Sequence, residues 1–95
     1  MMTPQEREAL RLTLLRVLNS NKTQFGMAKT LLLAVAKPQG FSGLTGAQVG
    51  EELDYLEQKG LAMRVPKQIS PELTAWRLSA AGRDYLAEHG LDIED

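Results

Sequence analysis

The chain of 95 residues has no cysteine. That single absence excludes disulfides, thiolate metal sites and thiol nucleophiles. It has one histidine, His89, so the common zinc ligand sets cannot be assembled. No Ser-His-acid order and no pair of candidate catalytic carboxylates emerges. The longest apolar run, Leu31 to Ala36, is far short of the roughly 20 residues that span a bilayer. The opening Met-Met-Thr-Pro-Gln-Glu-Arg-Glu lacks the basic-then-apolar order of a signal peptide. The expectation is a cytoplasmic protein with no membrane partner, no cofactor, no metal and no catalytic residue. Net charge is also nearly lacking, at −1, so no global field draws the chain to nucleic acid. Repeats and low-complexity segments are absent.

What is there is ordinary in amount and uneven in placement. Apolar content of 43% and charge of 24% suit one globular domain with one core. Residues 1–40, 41–60, 61–79 and 80–95 carry net charges of +4, −3, +2 and −4. Sign therefore alternates along the chain, and which segments meet in space decides the field at any surface.

Helix signals are strong. Thr3, Pro4 and Glu6 read as a cap, a first helical residue and a capping-box partner. Leu10, Leu14, Val17 and Leu18 follow at helical spacing, and the helix ends near Asn19-Ser20-Asn21. Leu12 and Leu15 lie off that stripe, so either this helix is covered on several sides or these two leucines form a dimer interface. A second helix is expected from Thr23 or Gly26 to about Ala36, apolar nearly all round, with Lys22, Gln24 and Lys29 in water and Lys37-Pro38-Gln39-Gly40 as its stop. The glycines at 40, 43 and 46 lack the Lys-Ser/Thr ending of a phosphate loop. They join two helices, with Phe41 and Leu44 tucked into the core.

The third helix has Thr45 as cap, Gln48 as box partner and Gly60 beyond its end. Val49, Leu53 and Leu56 fall within about 60° of one another and face the core. Ala47, Gln48, Glu51, Asp54, Tyr55 and Gln58 form the opposite face. Glu51, Glu52, Asp54 and Glu57 read as a solvated acidic run rather than a cation site. Leu61 to Val65 alternates as a strand with Leu61, Met63 and Val65 inward and Arg64 outward. Pro66 and Pro71 mark a loop, and Thr74 to Leu78 returns with Trp76 and Leu78 inward and Arg77 outward. Ser79 caps a fourth helix with Ala81, Tyr85 and Leu86 on its buried side, Gly90 ends it, and His89 sits against its last carbonyls.

This layout predicts an α+β fold, a winged helix-turn-helix with a three-helix core, a two-stranded wing and a C-terminal helix. Residues 1–95 form one domain: an N-terminal helix over 1–22, a core over 23–90 and an acidic tail over 91–95. Two blocks, Tyr55-Leu56-Glu57-Gln58-Lys59-Gly60-Leu61 and Trp76-Arg77-Leu78-Ser79-Ala80-Ala81-Gly82-Arg83-Asp84-Tyr85-Leu86, resemble the winged-helix domains of MarR-type and PadR-type bacterial regulators. Small phage and prophage proteins share the pattern. The resemblance implies a homodimeric, transcriptional-regulator-like protein binding double-stranded DNA. Ala47 and Gln48 would then contact base edges, and Arg64, Lys67 and Arg77 phosphates, with Lys59 nearby. Glu51 and Asp54 depart from the donors usual on a reading helix. They open the alternative of a protein-interaction adaptor that docks through Glu51, Asp54 and Tyr55.

Overall fold

The computed structural model describes residues 2–20, 26–65 and 74–90. Helix α1 runs Pro4–Ser20, strand β1 Met27–Ala28, helix α2 Lys29–Ala36 and a 3₁₀ turn Lys37–Gln39. Helix α3 (Gly46–Gln58), strands β2 (Ala62–Val65) and β3 (Ala75–Leu78) and helix α4 (Ala80–Glu88) follow. The result is a mixed α+β arrangement of four α-helices and a three-stranded antiparallel sheet in the order β1-β3-β2.

The helix starts follow from local chemistry. The Glu6 amide donates to Thr3 Oγ1 (3.1 Å), and the Thr3 amide donates to the Glu6 carboxylate (3.2 Å). Thr45 and Gln48 repeat that reciprocal box at α3. Gly60 ends α3 at φ +76°, a left-handed conformation that favours glycine. Ser79 then makes a joint. Its hydroxyl donates to the Gly60 carbonyl (2.6 Å) and accepts from the Gly82 amide (3.0 Å), and its own amide donates to the Leu61 carbonyl. Gly82 is pressed against that carbonyl, and a Cβ there would stand 2.2 Å from the Leu61 oxygen.

The core is built mainly of leucine: Leu10, Leu14, Leu15 and Leu18 from α1, Leu32 from α2, Leu53 and Leu56 from α3, and Leu86 from α4, all nearly inaccessible. Trp76 and Leu78 close it from the sheet. Helix α1 is thus part of the core. Leu15 is 1% exposed within the single chain, which corrects its assignment to a subunit face, while Leu12 stays half-buried.

Three other expectations are corrected. The second helix starts at Lys29, because Met27 and Ala28 instead pair with Trp76 and Ala75 as β1, and Leu31 is half exposed at 50%. The phase of β2 is reversed. Ala62 lies opposite Leu78 and Arg64 opposite Trp76, so Ala62 and Arg64 share the inner face, while Met63 is 43% exposed beside Arg77. A one-residue shift of phase exchanges the two faces of a strand. On α4, Ala81 is exposed and Gly82 takes its place in the interior, where only a residue without a side chain fits under the Leu61 carbonyl.

Candidate docking face around helix α3

Helix α3 carries four carboxylates, and the fold sends them in three directions. Glu52 is 2% exposed and turned towards α1. It accepts from Arg7 Nε at 2.9 Å and from Arg11 Nε at 2.5 Å. A buried carboxylate is tolerable only with such partners. The expectation of a solvated Glu52 is therefore corrected. Arg11 also lies 3.7 Å from the centroid of the Tyr55 ring, which Lys59 approaches from 5.6 Å. Tyr55 is held on that α1 side of the helix, about 100° around from Asp54. It does not share one face with Asp54.

On the other flank, Asp54 and Glu57 hold Arg64. Its Nε donates to both Glu57 oxygens at 3.0 Å and its Nη2 to Asp54 Oδ1 at 2.7 Å. The guanidinium stands 5.4 Å over the Trp76 ring. This is a consequence of the strand phase. Directed inward at the rim of the sheet, Arg64 carries its guanidinium over the indole and puts its charge on the carboxylates. Its expected outward direction is corrected by that geometry.

Glu51 alone stays in water without a partner among the described residues. Around it the exposed surface holds Ala47, Asp54 and Gln58. Ala47 is accessible, as a base-edge contact requires. Gln48 is half-buried and its Oε1 already accepts from the Thr45 amide at 3.0 Å. Bidentate pairing with adenine needs that oxygen as acceptor together with the amide nitrogen as donor.

Of the other expected phosphate contacts, Arg77 lies half-buried on the outer face of the sheet, its Nη2 4.0 Å from Met63 Sδ. Lys67 falls outside the described residues, as does Lys22. One cation that sequence reasoning left in solvent is better placed. Lys29, from the first turn of α2, lies across the start of α3. A Cβ at Gly50 would be 3.6 Å from its Cδ and 3.9 Å from its Nζ. Glycine at 46 and 50 leaves the channel that this side chain occupies, and the pair at i, i+4 was the available signal.

Other candidate sites resolve simply. His89 Nδ1 is 2.8 Å from the Tyr85 carbonyl, to which it donates, and its ring stacks on Tyr85 at 4.3 Å, as expected for a helix-terminal histidine. Trp76 is a core residue whose Nε1 has no partner among the described residues. Among those residues no helix is long and apolar enough to cross a membrane, and no group of three or more His, Cys, Asp and Glu side chains gathers to hold a metal. No protein-family model, no curated protein and no solved structure matches the chain.

Proposed function

We propose that the chain is a non-catalytic binding module of winged-helix form, with α3 as the recognition helix and β2–β3 as the wing. It docks a basic protein surface through the exposed side of α3. The observation that carries this reading is the closure of Arg64 onto Asp54 and Glu57. Arg64 is turned onto the helix beside it, and among the described residues Glu51 remains an unpaired carboxylate on the exposed side of α3, where it opposes a phosphate backbone. Acidic rim groups on such a face steer a cationic partner and set its register more than they add affinity.

The DNA-binding regulator is the second reading, and Lys29 favours it. Its side chain passes Gly46 and its ammonium group lies beside Gly50, one turn into α3, close to a helix N-terminus of the kind that attracts phosphate. With Ala47 exposed, a duplex could approach there.

Two titrations separate the readings. Random-sequence duplex DNA is followed by anisotropy at about 50 mM and 200 mM salt, where a phosphate-tracking protein loses affinity steeply. A short Arg/Lys-rich peptide is followed by amide chemical shifts. The docking reading expects no duplex binding at low salt and peptide-induced shifts centred on Glu51 and Asp54, abolished by Glu51→Lys. Duplex binding that falls with salt and with Lys29→Ala would replace it with the second reading.

A further inference from the structure

Three carboxylates stand on or beside the exposed side of α3, and the chain itself answers two of them. Glu51 has no ion-pair partner among the described residues, whereas Asp54 and Glu57 both hold Arg64. A basic surface that meets α3 therefore finds Glu51 open and the other two already neutralised. To use them it must displace Arg64. Displacement costs little, because all three side chains of the clamp are a third or more exposed. Ion pairs in such surroundings hold their partners by about fivefold at most.

The clamp is nonetheless selective for what can replace Arg64. Three acceptor oxygens converge on one guanidinium, both Glu57 oxygens on Nε at 3.0 Å and Asp54 Oδ1 on Nη2 at 2.7 Å. Its floor is the ring of the buried Trp76, with the guanidinium 5.4 Å from the ring centroid. Acceptors on two residues and an aromatic face suit a planar group whose donors are spread along a fork. An ammonium is a point charge and matches this arrangement poorly.

We infer that Arg64 stands in for an arginine of the partner. It is an internal competitor that covers the cradle of Asp54, Glu57 and Trp76 until a guanidinium from the docking protein takes its place. The inference rests on the proposed docking through α3. It adds the residue that the partner must present and the contact that keeps the site closed. A lysine-rich surface is drawn to Glu51 but leaves Arg64 seated, so the clamp sorts basic partners by side chain as well as by charge.

Two peptides of equal length and charge, one built on arginine and one on lysine, test it against the wild-type chain and Arg64→Ala. Amide chemical shifts report both affinity and place. With Arg64→Ala the arginine peptide is expected to bind about fivefold more tightly and to shift Asp54 and Glu57 along with Glu51. The lysine peptide gains about twofold or less. The lost positive charge acts on both peptides alike, so the difference between them isolates the cradle. Arg64→Gln, which removes the charge but keeps a long polar side chain in the strand, gives the same order of gains. Residue 64 is exposed, so far-ultraviolet circular dichroism of both variants stays native. Equal gains for the two peptides, or no gain for either, overturn the inference and leave docking through α3 standing. Failure of both peptides to bind any of the three proteins overturns the docking reading and this inference with it.

Discussion

Glu52 shows how unequal the two ends of an ion pair are. The carboxylate is inside, while Arg7 and Arg11 remain 45% and 23% exposed. Deleting the carboxylate frees two arginines to reach water. Deleting Arg11 strands a buried negative charge on one remaining, more exposed partner. Arg11→Ala is therefore expected to cost about 2–4 kcal/mol and Glu52→Gln only about 1–2, read as midpoint shifts in urea unfolding. The reverse order would mean that Glu52 is more solvated than the geometry shows. Gly82 is a second residue with one outcome. A methyl group there overlaps the Leu61 carbonyl and Leu78 Cδ1, at 2.2 and 2.7 Å. Gly82→Ala should lose about 2–4 kcal/mol despite alanine's better helix propensity, while Ala81→Gly, on the exposed side, should lose about 1 or less. Neither partner of Glu52 was legible in the chain, because Arg7 and Arg11 precede it by more than forty positions. The carboxylate itself looked like one of four in an acidic run.

At the scale of elements, what could be read was what is local. The caps at Thr3, Thr45 and Ser79 and the stop at Gly60 each depend on residues within one turn, and each stands where its residue types put it. The apolar rows of α1 and α3 were equally legible because a helix carries its period with it. Strands do not. The phase of β2 comes from its register with β3, and β1 exists only because Trp76 and Ala75 are there to pair with it. In Leu61-Ala-Met-Arg-Val65 the apolar pattern favours the wrong phase, since Arg64 takes an inward position and escapes burial at the rim. The misjudged direction of Arg64 followed from that one strand. The clamp it makes lies in solvent, where ion pairs are worth little. Arg64→Ala is thus expected to shift the unfolding midpoint by less than about 1 kcal/mol while changing Trp76 fluorescence, because the guanidinium leaves the indole face. A large destabilisation would show that the clamp holds the sheet to α3.

At the scale of the whole molecule, the place of α1 decides what kind of object the chain is. An N-terminal helix over residues 1–22 beside a core over 23–90 implies an arm that could be removed. The structure places Leu10, Leu14, Leu15 and Leu18 at or near zero exposure among residues of α2, α3 and the sheet, and fastens the same helix to α3 through Glu52. Burying a leucine fully contributes roughly 1.5–3 kcal/mol, so four of them contribute about as much as the 5–15 kcal/mol by which a small domain is stable at all. Removing residues 1–20 should therefore abolish cooperative unfolding, leaving a chain with weak near-ultraviolet dichroism and unprotected amides in α3. Hydrogen exchange on the intact chain gives the same answer without truncation. Amides in the middle of α1 should exchange as slowly as those of α3 around Leu53, through global opening. Faster exchange confined to α1 would make it a separable arm. Equal protection instead makes α1 an inseparable part of a single folding unit, fastened by the leucines it contributes to the core.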